Sequence, residues 1–187
     1  RSTLLASSAA SDVYKRQITN PAYFFNMQSF RYTQDTIDAE LKKSKEDFIL
    51  HFRSAYTDDY PPAWMIAEIL PLGLLCRIYT NLKDNVIKKR VAQHFGLQVP
   101  VFSSWIVILA GLRNMCCHHC RTWNRELATI TTEPRRTKYG WIDSSRTDKR
   151  RMYYRICMIR YFLYTVSPNN SFKDKLKTLL AAYPNID

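Results

Sequence analysis

The chain has 187 residues, 46% of them hydrophobic, enough to bury one sizeable core and too few to make two large domains the expectation. Twenty-eight lysines and arginines against 16 acidic residues give a formal charge of +12. That excess disfavours cationic partners and favours a polyanion (RNA, DNA or an anionic membrane surface), with nucleic acid first.

Residues 1–17, RSTLLASSAASDVYKRQ, are small and polar, with no helical period and an apolar patch too short for a signal peptide. They resemble a translated cloning or sequencing adapter and read as a non-native leader. They hold Arg1, Lys15 and Arg16 against Asp12, so the remainder keeps 12 − 2 = +10. Residues 18–187 are expected to form the functional part.

Glycine is scarce, at four residues, and apolar periods near 3.6 outnumber strict alternation, which predicts an all-α fold of helices joined by short turns. Residues 35–56 place Ile37, Leu41, Phe48 and Phe52 on one face of an amphipathic helix, with Thr33 or Asp35 as its cap. After Pro61 and Pro62, residues 64–82 read as a buried helix that Pro71 must kink or divide. Glu68 lies in its apolar surface, where a carboxylate either pairs with an arginine or supports a site.

Residues 84–95 predict a short basic helix closed by Gly96. A turn at Val99 and Pro100 precedes a central helix over residues 105–127, capped by Ser103 or Ser104. Residues 131–147 read as a basic loop, reaching for phosphates or merely solvated. Residues 148–166 form a helix in which Arg150, Arg151, Arg155 and Arg160 interleave with aromatics. Such interleaving suits base stacking, or else Tyr153, Ile156 and Phe162 are ordinary core and the arginines lie outside. A last helix covers residues 171–182. No apolar run approaches the roughly 18–20 residues that cross a bilayer, so the chain reads as soluble, cytoplasmic and without a membrane partner.

The central helix carries the chemistry. At about 100° per residue, Asn114, His118, Arg121 and Arg125 fall at i, i+4, i+7 and i+11, one polar and cationic stripe. Arg113 sits about 140° from His118 around that axis, with a side chain long enough to curl toward the stripe or reach a neighbouring subunit. The set suits RNA cleavage by internal transesterification. His118 can move a proton, Arg113 can stabilise the phosphorane, and Asn114 can orient the imidazole or bind phosphate, with no metal or other cofactor required. Two other readings concern the neighbouring residues. Cys116, His119 and Cys120 share one face and could ligate zinc, although structural zinc draws ligands from separate segments. Alternatively Cys116, Cys117 and Cys120 pack as small apolar residues, with His119 a hydrogen-bonded core histidine. Five cysteines, three of them within five positions, suggest reduced thiols.

The segment LRNMCCHHCRTWNR, residues 112–125, resembles the LRN-x-CAHH-x-RLWNR signature of abortive-infection proteins of the AbiD/AbiF type. PPAWMIAEILPLGLLCRIYTNL, residues 61–82, resembles the family's PP-x-W-x-x-E-x-x-x-x-G segment. HFGLQVPVFSSWIVILAGLRN, residues 94–114, follows in the expected order. The resemblance covers roughly residues 20–180 and implies a HEPN-like helical bundle, truncated here at both ends, since the family's N-terminal half with its YYRLS-like segment is not represented. It departs at Cys117, where the family has alanine, and at Pro71.

The HEPN motif R-x4-6-H then falls on Arg113 and His118, with Asn114 as its polar companion. The resemblance implies a composite, metal-independent ribonuclease site built by a homodimer, one motif per chain. Arg121, Asn124 and Arg125 become RNA-binding residues, and Glu68, His119 and Trp123 supporting ones. The expected function is antiphage abortive infection through endoribonuclease activity. The alternative is a non-catalytic RNA-binding or interaction module of a toxin–antitoxin or phage-defence system, with an RNA antitoxin as its candidate partner.

Overall fold

A computed structural model describes residues 18–183, so the leader expected at 1–17 lies outside the described residues. Among them are eight α-helices and no strand, which makes the protein all-α as its periodicity predicts. The chain divides between Lys88 and Lys89 into two compact units.

In the first unit, α1 (Met27–Lys43) packs against α3 (Ala63–Ile69) and α4 (Leu72–Asn81), and α2 (Asp47–Ala55) follows α1. The core is Ile37, Leu41, Ile49, Ile66, Leu70 and Leu74. Helix α1 starts earlier than its charge pattern suggests. Its cap is Asn26, whose side chain accepts the Ser29 N–H at 2.8 Å and so satisfies one of the first-turn donors. The expected cap Thr33 is instead buried, donating its hydroxyl to the Ser29 carbonyl. Asn26 is itself clamped by Asn81. The Asn81 amide accepts the Asn26 N–H at 2.8 Å and donates to the Asn26 carbonyl at 3.0 Å, joining the start of α1 to the end of α4.

The single helix expected over 35–56 is two helices. Ser44 and Glu46 are extended, and Arg53 of α2 folds back to donate to the Leu41 carbonyl, which also accepts the Ser44 N–H at the end of α1. Periodicity carries no record of that long-range contact. Pro71 does divide α3 from α4, since it cannot donate the helical bond and crowds the preceding turn.

Tyr60, on the approach to α3, donates its hydroxyl to Asp38 at 2.8 Å. Burial first, then that bond and the Asp38 charge, push its pKa from 10.0 up to about 12. The folded state therefore holds the phenolic proton more tightly than the unfolded chain, so this contribution is intact below pH 10 and is lost as pH rises through 10–12. Urea melts are expected to show stability falling across that window, with the fall reduced in Tyr60→Phe. An identical pH dependence in the variant would refute the assignment.

Helix α5 (Asn85–His94) is capped by Asp84, which accepts the Val86 and Ile87 N–H groups at 2.7 and 3.0 Å. It closes as expected at Gly96, whose φ of 67° lies in the left-handed region. In the second unit, α6 spans Val99–Cys117. The turn predicted at Val99 and Pro100 is in fact its first turn, where proline's missing N–H costs nothing. Ser104 is not a cap but accepts the Thr132 N–H at 3.1 Å.

Helix α6 buries Val101, Phe102, Trp105, Ile108, Ala110 and Leu112. Trp105, fully buried, stacks at a tilt on Trp141 (4.6 Å), meets Tyr161 edge-on (5.4 Å) and donates its indole N–H to the Thr132 carbonyl. By length and composition α6 is the one helix among the described residues that could cross a membrane, although its longest apolar run, residues 105–112, is bounded by Ser104 and Arg113. Its aromatic contacts place it as a core helix of the second unit.

The loop at 131–147 is anchored, not merely solvated. Trp141 inserts beside Trp105 and Tyr154, and the Lys138 N–H donates to the Tyr161 hydroxyl. Its cations Arg135, Arg136 and Lys138 remain exposed. Helix α7 (Met152–Val166) buries Tyr154, Arg155, Met158 and Tyr161, and α8 (Phe172–Ala182) ends the described fold. Contrary to the expectation for this helix, Tyr153 is exposed and Arg155 is inside.

Candidate active site

The sequence-predicted residues gather at the C-terminal end of α6. Arg113 and Asn114 are exposed in its last turns, and Arg113 donates to the Asn114 side-chain oxygen at 3.4 Å. His118 is the C-cap, its backbone N–H donating to the Asn114 carbonyl at 3.0 Å. The imidazole is exposed. Both key side chains are thus within reach of a polynucleotide. Arg113 bonds to Asn114 rather than to His118, consistent with the wide angle between them on the helix.

The helix stops here because the chain forms a Schellman motif. The His119 N–H bonds to the Cys116 carbonyl at 3.1 Å and the Cys120 N–H to the Met115 carbonyl at 2.9 Å, satisfying carbonyls that would otherwise be orphaned. His119 occupies the left-handed position, φ 53°, that glycine normally takes. This corrects two expectations: the helix does not continue to residue 127, and His119 is an exposed capping residue rather than a core histidine. His119→Gly is expected to raise stability by about 1 kcal/mol, because a side chain in that conformation carries a steric cost glycine lacks. A melting curve unchanged or lowered would refute this.

With the helix ended, the stripe Asn114, His118, Arg121 and Arg125 is cut after His118, and both arginines lie on the following loop. The loop has its own order. Arg121 donates to the Trp123 carbonyl at 3.2 Å, and Arg151, the residue that precedes α7, donates to the Asn124 side chain at 3.4 Å. Asn124 is itself left-handed, φ 47°. The loop is then tied down by the Glu126–Arg150 ion pair at 2.6 Å and the Leu127 N–H bond to the Arg150 carbonyl. The buried Leu127 gives the physical reason: the chain must turn back to place it in the core. Trp123 is 45% exposed, a free aromatic face among cations.

Cys116, Cys117 and Cys120 are exposed, not packed as small apolar residues, whereas Cys76 is buried and Cys157 half-buried. Burial pushes the Cys76 and Cys157 thiols up. Among the described residues no group of three or more His, Cys, Asp and Glu is arranged to hold a metal ion. Glu68 is exposed on α3, in the first unit, rather than buried; no arginine pairs with it among the described residues.

Sequence reasoning missed Arg155. It is 1% exposed and donates to the Thr129 carbonyl, with Met158 Sδ at 3.8 Å, while its Nε has no partner. Among the described residues no carboxylate pairs with it, and an uncompensated buried charge costs on the order of several kcal/mol. The signal was present in the spacing of Tyr154, Met158 and Tyr161, whose buried stripe includes position 155.

An all-helical protein with an exposed arginine, asparagine and histidine at one helix end is the class these observations define. A family model for Abi-like proteins matches residues 3–124, more than half of the chain and including this helix end. The chain belongs to the Abi-like protein family, an abortive-infection family. No curated protein and no solved structure matches it.

Proposed function

We propose that the protein acts in antiphage defence as a metal-independent endoribonuclease of the HEPN type, within the AbiD/AbiF branch of its family. The observation that carries this reading is the joint exposure of Arg113, Asn114 and His118 at the end of α6, followed at once by a cationic loop. His118 transfers the proton of the 2′-hydroxyl or of the leaving 5′-oxygen, roles open to an imidazole near neutral pH. Arg113 presents its fork of donors to the developing phosphorane. Asn114, already bonded to Arg113, holds that guanidinium in place. Arg121, Asn124 and Arg125 bind flanking phosphates, and Trp123 offers a stacking face. His119 contributes by ending the helix, so that the imidazole before it stands free. A single chain has one such motif, so a homodimer in a cytoplasmic setting completes the site.

The test is cleavage of RNA by the purified protein in EDTA, yielding 2′,3′-cyclic phosphate ends, with activity rising with protein concentration as dimers form. The rival reading, a non-catalytic RNA-binding module with an RNA antitoxin as its candidate partner, draws on the loop arginines. It predicts tight, salt-sensitive RNA binding with no cleavage, and that result would displace the ribonuclease.

A further inference from the structure

The turn that ends α6 holds three exposed thiols that the ribonuclease chemistry leaves unused, Cys116, Cys117 and Cys120. Among the described residues they join no group arranged to hold a metal ion. Cys117 stands where the family signature has alanine, and with Cys120 it frames His118 and His119 in a C-x-x-C array. On an unbroken helix a bridge at this spacing is strained. Here α6 stops at Cys117, and His119, at φ 53°, reverses the chain. The Cys120 N–H bonds to the Met115 carbonyl at 2.9 Å, so residue 120 lies back along the last turn of the helix. Its Sγ is 3.8 Å from the His118 carbonyl, which sets the thiol over the turn rather than away from it. A reversal of this kind brings residues three apart to within about 7 Å between Cα atoms, and a disulfide spans roughly 4.4–6.8 Å. Cys116 abuts Cys117, where a bridge would distort the peptide between them, and it lies one residue deeper in the helix. Cys117 and Cys120 are the pair that the turn favours.

We propose that Cys117 and Cys120 form a reversible thiol–disulfide site, oxidised by a hydroperoxide, whose bridged form clamps the turn that carries His118. One sulfur attacks the peroxide, the O–O bond breaks, and a sulfenic acid and one water form, the thiol proton going to the departing oxygen. The second sulfur then attacks the sulfenic sulfur. The S–S bond forms, the S–O bond breaks and a second water leaves with the remaining thiol proton. Two thiols are thus oxidised as one peroxide is reduced, and a dithiol reductant reverses the change. Such pairs are transient in a reducing compartment, which suits a sensor rather than a structural staple. The bridge holds the two Cβ atoms about 3.8 Å apart and so restrains the backbone on both sides of His118 and His119. Formation of the disulfide is independent of the ribonuclease chemistry; its effect on cleavage rests on that reading.

Treatment of the reduced full chain with hydrogen peroxide, followed by alkylation and mass spectrometry of the tryptic peptide 114–121, tests the pairing. That peptide holds all three thiols. In the parent it is expected to lose two hydrogens and keep one alkylatable thiol, and to regain all three with dithiothreitol. Cys116→Ser is expected to bridge as the parent does, whereas Cys117→Ser and Cys120→Ser do not. All three positions are exposed, so the variants keep the fold. Three alkylatable thiols after peroxide, a bridge that survives Cys117→Ser or Cys120→Ser, or a link between two chains on a non-reducing gel would overturn the proposal. The bridged protein is expected to cleave RNA at least about ten-fold more slowly, since small displacements of a positioned group cost that much or more. Reduction restores the rate, and Cys117→Ser keeps its rate in peroxide. Equal rates from bridged and reduced protein would overturn the clamp. A reduced parent that cleaves no RNA removes the ribonuclease reading alone, because the mass measurement still decides the disulfide.

Discussion

His118→Ala is expected to slow RNA cleavage in EDTA by roughly 10²–10⁴-fold, the usual weight of a positioned proton-transfer group. Its fold should survive. The imidazole is exposed, and the cap bond at this position is made by the backbone N–H, which alanine keeps. Exposed substitutions of this kind shift stability by about 0.5 kcal/mol or less. A thermal melt run beside the cleavage assay separates loss of chemistry from loss of structure. Cleavage at the parent's rate by a folded variant would exclude His118 from proton transfer and leave phosphate binding as the role of this helix end.

The largest stability effect is expected at Trp105. Trp105→Ala removes a fully buried indole, its contacts with Trp141 and Tyr161, and the donor to the Thr132 carbonyl. Loss of a buried tryptophan costs about 3–5 kcal/mol, a large part of the roughly 5–15 kcal/mol that typically holds a domain together. Urea unfolding should shift accordingly, and a change below about 1 kcal/mol would mean that Trp105 does not centre this core. Trp105 fixes α6 against the 131–147 loop and α7. The same variant should therefore lose cleavage activity without touching the candidate site, because α6 carries Arg113, Asn114 and His118 at its far end.

The all-α class followed from the amino-acid sequence, because an apolar period of 3.6 survives whatever the helices pack against. Pro71 and Gly96 also marked real boundaries, since each restricts or frees its own backbone locally. The candidate residues were legible for the same reason: Arg113, Asn114 and His118 are close in sequence, and one helix end brings them to the surface together.

What tertiary structure decided are the features set by contacts between distant segments. Helix α1 stops at Lys43, where Ser44 turns extended and Arg53 returns from α2 to bond the Leu41 carbonyl. Helix α6 stops at Cys117 because Leu127 must reach the core, and His119 takes up a left-handed turn that no glycine announces. The stripe drawn through Arg121 and Arg125 assumed a helix that the turn ends. Arg155 shows the same limit from the other side. Its charge predicts a surface position, yet its phase on α7 turns it inward, and a one-dimensional pattern does not reveal which faces the rest of the chain will cover.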